Sequence, residues 1–160
     1  MSITKIIYSA FVIALAGGAF GIKSASAEFM DCSYSEEYKG QPTRDVLWVT
    51  TDRRLVQWTY VTTLSSKNPE FDGIQLTVYE QWDEVGGTGT HREYAVYPLK
   101  SGEKLWIRYE GQYWGSTFQG VFHFIGGTGK YKAIRGAAHY QGKFLPGGSF
   151  KDVVSCDAVY

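Results

Sequence analysis

Polar and apolar residues alternate along most of this 160-residue chain once its first 27 residues are passed. An alternation of period two is typical of strands that bury one face, because successive side chains point to opposite sides. The pattern predicts eight strands, at residues 46–51, 55–64, 74–85, 92–99, 104–114, 117–125, 131–144 and 150–160. No segment in that part of the sequence has a convincing helical stripe.

Glycine clusters separate several of these strands, and the clearest are GGTG at residues 86–89 and GGTG at residues 126–129. Glycine accepts a positive φ without a steric penalty, so both clusters predict turns that reverse the chain. Strands joined by short turns indicate an all-β, antiparallel fold. We favour a closed barrel of about eight strands over an open sandwich, because closure removes exposed edges.

The first residues have the pattern of an export signal. Lys5 supplies a positive charge, residues 6–20 form an apolar run, and Ala25-Ser26-Ala27 is a small-x-small cleavage site. We therefore predict a signal peptide at residues 1–27, a polar tether at 28–43 and one barrel domain at 44–160. The mature protein would be secreted or periplasmic, without stable membrane insertion.

The sequence contains two cysteines, Cys32 and Cys156. In an exported chain such a pair predicts a disulfide, and the spacing matches neither a CxxC redox motif nor a zinc ligand set. The net charge is zero over the whole chain and slightly negative without residues 1–27. Nucleic acid as a partner is therefore not expected, since it usually requires a basic excess.

Glu80 is the residue with the most chemical interest. It shares a strand face with apolar neighbours, among them Val78 and Trp82, so we expect it in the barrel interior. Burial tends to raise the pKa of a carboxyl group, which suits a general acid or base. The alternatives are a carboxylate at the rim and one paired with an arginine for structural reasons.

Further candidates for an interior ligand site are Trp82, Arg108, Tyr109 and His123. Arg108 reaches Glu80 only if its face of the strand at 104–114 points inward, and the Tyr109 face looks more like core. The histidines lack HxH or HExxH spacing, so no metal is expected. The sequence GGTGK departs from the phosphate-loop motif, and we expect no cofactor.

The stretches GSTF at residues 115–118, FIGGTGKY at 124–131 and IRG at 134–136 resemble the signature of allene oxide cyclase-like and dirigent-like barrels. Uncharacterised secreted bacterial relatives of these calycin-like barrels resemble the sequence more closely than the plant enzymes do. The resemblance implies an eight-stranded antiparallel barrel with a hydrophobic cavity, often assembled as a homotrimer. In the plant cyclases an interior glutamate steers cyclisation, and Glu80 is the residue that corresponds to it here.

Three functions follow from these observations. The first is an exported barrel that binds a small hydrophobic or aromatic molecule without transforming it, because the chain is rich in aromatics and lacks a complete catalytic set. The second is an isomerase or cyclase of the allene oxide cyclase type that uses Glu80. The third is a structural or interaction protein of the cell envelope or host interface, which would expose an aromatic patch.

Overall fold

The computed structural model describes residues 27–39 and 42–160. Apart from Ala27, the predicted signal peptide lies outside the described residues. No helix in the described part of the chain has the length and apolar character needed to cross a membrane.

Within the described residues, ten antiparallel strands form one sheet that closes on itself. The strands are β1 (Phe29–Asp31), β2 (Tyr34–Tyr38), β3 (Thr43–Trp48), β4 (Arg53–Ser65), β5 (Gln75–Val85), β6 (Thr88–Pro98), β7 (Lys104–Trp114), β8 (Thr117–Gly127), β9 (Arg135–Phe144) and β10 (Phe150–Val159). From β4 to β10 each barrel strand pairs with the next, and β10 pairs in turn with β1 and β2. Because β2 also pairs with β4, the circle is complete and the predicted eight-stranded barrel is confirmed.

The eighth position of the barrel is filled by β1 and β2, which lie along the same edge of β10. Cys32 interrupts them and forms a disulfide with Cys156 of β10, with the two Cα atoms 4.9 Å apart. The segment 28–43, expected to be a tether, therefore contributes barrel strands. Its polar appearance has a physical reason in part, since Glu36 of this segment lines the barrel interior with a carboxyl group.

The strand predicted at residues 46–51 takes a different role. It corresponds to β3, which pairs with β4, and all six of its residues are exposed. β3 is thus an arm beside the barrel rather than one of the eight barrel strands. The strand predicted at 131–144 begins later, at Arg135, because Gly129–Ala133 forms a short 3-10 helix.

The barrel has two different ends. The end at which β5 turns into β6 is called the mouth here, and Gly86 and Gly87 form that turn with φ values of 58° and 81°. Side chains close the opposite end, where Phe71, Tyr131 and Ile134 are almost fully buried. Along the strands between these ends, alternate side chains fill the interior, as the period-two pattern predicts.

Candidate functional site

A small chamber in the barrel interior is lined by acidic groups. It has a volume of about 20 Å³. Its walls include four carboxyl groups, called the carboxyl cluster below: Glu36, Glu80, Glu93 and Asp152. The described residues that line it include no lysine and no arginine. Since about 10–15 Å³ is enough for one water, the chamber has room for a water molecule or an ion and excludes an aromatic ring.

Strand register places the four carboxyl groups in two facing pairs. Glu80 of β5 lies directly opposite Glu93 of β6, and Asp152 of β10 lies directly opposite Glu36 of β2. Glu80, Glu93 and Asp152 are 4%, 8% and 9% exposed. Like charges at opposite positions destabilise a sheet, so each buried pair needs a shared proton or a cation.

Burial makes these groups hold their protons. It raises the pKa of Glu80 to about 8 and the pKa of Glu36 to about 7. The pKa values of Glu93 and Asp152 are also raised well above their usual range, first by burial and then by the neighbouring carboxyl charges. At neutral pH and without a cation, the cluster is therefore largely protonated.

His91 of β6 completes the chamber. Its Nε2 lies 2.5 Å from the hydroxyl oxygen of Tyr140, while its Nδ1 is buried without a hydrogen-bond partner. Burial lowers the pKa of His91 to about 4, so the ring is neutral at pH 7. One ring nitrogen of His91 and one oxygen each of Glu80 and Glu93 lie within 4.8 Å of one another.

Two glycines let Tyr140 reach His91. Gly111 of β7 and Gly120 of β8 are opposite each other in the sheet. A Cβ atom would come within 2.3 Å of the Tyr140 hydroxyl oxygen at Gly111 and within 2.4 Å at Gly120. These distances are too short for any side chain, so the two glycines create the space for the tyrosine.

A layer of tyrosines separates the chamber from the closed end of the barrel. The hydroxyl oxygen of Tyr34 lies 2.5 Å from that of Tyr97 and 2.6 Å from that of Tyr109. Tyr97 and Tyr109 are also hydrogen-bonded to each other. All three rings are buried, and their hydroxyl groups satisfy one another, so this layer is a structural floor.

A second and larger cavity opens at the mouth, with a volume of about 240 Å³. Its aromatic walls are Trp58, Trp82, Tyr113 and Phe144. The rings of Trp58 and Trp82 lie 5.3 Å apart, and the ring of Phe144 lies 5.6 Å from that of Trp82. Three of these residues also line the carboxyl chamber, so the aromatic layer is the partition between the two cavities.

An ion pair stands at the rim of this mouth cavity. Arg54 Nη2 lies 2.7 Å from Glu84 Oε2, and both side chains are partly buried. Burial alone would raise the pKa of Glu84, but the hydrogen bond and charge of Arg54 bring the pKa below its usual value. A second guanidinium group, that of Arg44, also lines the cavity.

The structure separates the residues that the sequence suggested for the site. Glu80, Trp82 and Tyr109 point into the barrel and line the chamber. Arg108 and His123 lie opposite each other on the outer face, because Tyr109 and Phe122 take the inward positions. This corrects the expectation that Arg108 and His123 belong to an interior site, and Arg108 instead lies 3.6 Å from Glu110.

Several site residues were missed by sequence reasoning, namely Glu36, His91, Glu93 and Asp152. A partial signal for Glu93 was the apolar side of its strand face, which continues with Ala95 and Tyr97. The pairing of these carboxyl groups depends on register between strands, which the sequence of one strand does not show.

Comparison with known proteins supports the fold. The sequence matches no protein-family model and no curated protein sequence. Among solved structures, it is similar to the pterocarpan synthase dirigent protein GePTS1, with a TM-score of 0.54 and 12% sequence identity. The match covers 86% of this chain and 88% of that one. The chain therefore has a dirigent-like β-barrel fold.

Proposed function

We propose that this protein is an exported barrel that binds a small aromatic molecule in the mouth cavity, without transforming it. The observation that carries the proposal is an open cavity of about 240 Å³ with aromatic walls on strands of the barrel. Small-molecule sites are typically concave and apolar, with a few polar groups that fix orientation. Typical sites span about 300–1,000 Å³, so a ligand of one or two rings suits this cavity.

The side chains around the cavity favour a flat ligand. Trp58, Trp82 and Phe144 offer ring faces and edges, which prefer aromatic partners in stacked or edge-to-face arrangements. Two arginines, Arg44 and Arg54, line the cavity together with one acidic residue, Glu84. An acidic or hydrogen-bond-accepting group on the ligand would therefore be bound at the arginine side of the cavity.

Catalysis of the isomerase or cyclase type at Glu80 is the second candidate. Its support is a buried carboxyl group that is protonated at neutral pH. Such a reaction requires the substrate to reach the chamber, yet a cavity that holds benzene measures about 150 Å³, against about 20 Å³ here. Binding at the mouth requires no such access, and for this reason we prefer it.

Export to the periplasm or the medium is part of the proposal. It is supported by the disulfide between Cys32 and Cys156, a bond that persists mainly in oxidising compartments. The N-terminal sequence, with its apolar run and small-x-small site, supports the same destination.

Calorimetric titration with 2-naphthoate tests the binding proposal. The saturated decahydro analogue has the same carboxylate and a similar size without an aromatic face. We expect 2-naphthoate to bind once per chain and at least about fivefold more tightly than the analogue, since an aromatic pair contributes about 1 kcal/mol. Trp58→Leu should weaken this binding, whereas Trp106→Leu on the outer face is the matched control.

Native mass spectrometry of the exported protein accompanies the titration, because it identifies a co-purifying molecule and reports the number of chains. A bound aromatic compound released from the mature protein supports the proposal. Equal affinities for the aromatic and saturated probes, or equal losses in the two tryptophan variants, would contradict it. Turnover of an identified ligand that disappears in Glu80→Gln would instead favour the isomerase.

A further inference from the structure

We propose that Glu80, His91 and Glu93 form a binding site for one divalent transition-metal ion, with Zn²⁺ as the representative, inside the barrel. This site is separate from the aromatic mouth cavity and does not depend on the function proposed for that cavity. The first support is distance, because one ligand atom from each of the three residues lies within 4.8 Å of the others. Three protein ligands are the usual number in an open zinc site. Here the three lie on two neighbouring strands, β5 and β6.

The second support is the state of His91. This side chain is 5% exposed, and its Nδ1 has no hydrogen-bond partner. When Nε2 carries the proton and donates it to the Tyr140 hydroxyl oxygen, 2.5 Å away, Nδ1 keeps a free lone pair. Metal-binding histidines are commonly held by a hydrogen bond on their other nitrogen, which fixes the tautomer and the ring orientation. Tyr140 is therefore a positioning residue for the proposed ligand His91.

The third support is charge. Four carboxyl groups line the chamber, and no lysine or arginine is found among its described lining residues. Buried carboxylates are normally paired with a cation or coordinated to a metal. A divalent ion between Glu80 and Glu93 would balance the two carboxylates that face each other across β5 and β6.

Space and ligand type define the ion. The chamber of about 20 Å³ accommodates a single ion and is too small for an organic cation. One imidazole with two carboxylates suits zinc, iron or manganese, whereas magnesium and calcium prefer oxygen ligands alone.

Metal binding can be measured directly on the mature protein with its disulfide intact. After treatment with a chelator, the protein is titrated with Zn²⁺ in competition with a chromogenic chelator. We expect one Zn²⁺ per chain, and at least about a tenfold loss of affinity in Glu80→Gln and in Glu93→Gln, the scale seen when a metal site is disturbed. The controls Glu110→Gln and His123→Gln remove the same types of group from the outer face, and they should bind like the parent.

Crystals soaked in Zn²⁺ provide a measurement that needs no variant. An anomalous peak between Glu80, His91 and Glu93 supports the site even if the interior variants fail to fold. The proposal is overturned by a parent that binds no Zn²⁺, by unchanged affinity in both glutamine variants, or by anomalous peaks only at surface histidines such as His123 and His139.

Discussion

Replacing Glu80 by glutamine removes one ionisable proton from the carboxyl cluster while nearly preserving the shape of the side chain. Burial raises the pKa of Glu80 from the usual 4.5 to about 8. Between these two values the folded protein keeps a proton that the unfolded chain has lost. The contribution of Glu80 to stability is therefore fully present below about pH 4.5 and is lost as the pH rises toward 8.

The size of this effect follows from proton linkage. One extra proton held by the folded state changes the free energy of unfolding by about 1.4 kcal/mol per pH unit. From about pH 5.5 to about pH 7.5, ionisation of Glu80 should lower the free energy of unfolding of the parent by about 3 kcal/mol. Glu80→Gln has no such group and should not show this loss. The variant is therefore expected to become more stable relative to the parent as the pH rises.

Urea denaturation of the metal-free proteins, in the presence of a chelator, measures this difference. The other titratable groups around the chamber are present in both proteins: Glu36, Tyr60, His91, Glu93, Tyr109, Tyr140 and Asp152. Beyond the effect of burial, Glu80 raises the pKa of Glu93 by its charge and its hydrogen bond, so Glu80→Gln also lowers the pKa of Glu93, which moves the stability difference in the same direction. Glu110→Gln is the matched control, because Glu110 lies on the outer face with its side chain 38% exposed. The difference in the free energy of unfolding between Glu110→Gln and the parent should show no comparable trend with pH.

Parallel stability profiles for the parent and Glu80→Gln would refute the reasoning. They would mean that Glu80 is ionised in the folded protein at pH 5.5, which requires a cationic neighbour. A protonated His91 is the group close enough to fill that role.

Three further outcomes can be checked. Burial lowers the pKa of His91 to about 4. In ¹⁵N NMR of the metal-free protein, the ring nitrogen signals of His91 should therefore stay those of a neutral imidazole from pH 7 to about pH 5. A protonated ring at pH 6 would contradict this. Gly120→Ala should destabilise the barrel by about 2–3 kcal/mol in urea denaturation, because its Cβ would overlap the Tyr140 hydroxyl group and the backbone. An unchanged denaturation midpoint would contradict this and show that the sheet makes room for the added methyl group. Replacing Cys32 and Cys156 by alanine should lower the free energy of unfolding by about 4–5 kcal/mol for a loop of this length. Reduction of the disulfide in the parent should lower it by an equal amount.

Strand positions could be predicted because period-two alternation is a local property. The strand from Lys104 to Trp114 was predicted to the residue, and the inward direction of Glu80 followed from its apolar neighbours on one face. The barrel position of β1 and β2 could not be found in this way. These strands are short, and Glu36 makes an inward face look polar, so only the partner strand β10 shows which face is buried.

The chamber itself could not be predicted, because it depends on contacts between distant strands. Glu93 faces Glu80 through the register set by the turn at Gly86 and Gly87, and Tyr140 reaches His91 only past two glycines of other strands. A strand with mixed faces, such as β7, allowed either direction for Arg108. The large side chain of Tyr109 takes the interior there, and Arg108 remains near solvent.

The position of β10 has a consequence for the order in which the barrel forms. From β4 to β10 each strand pairs with its neighbour in the chain, whereas β1 pairs with β10 and β2 pairs with both β4 and β10. The disulfide of β10 links residues 124 positions apart. Contacts between distant residues form late, because the cost of closing the loop comes before any gain from the contacts. We therefore expect the strands β4–β10 to assemble first as an open sheet, with the carboxyl groups of Glu80 and Glu93 still hydrated. Closure by β1 and β2 would then bury these groups in the same step that brings Cys32 to Cys156.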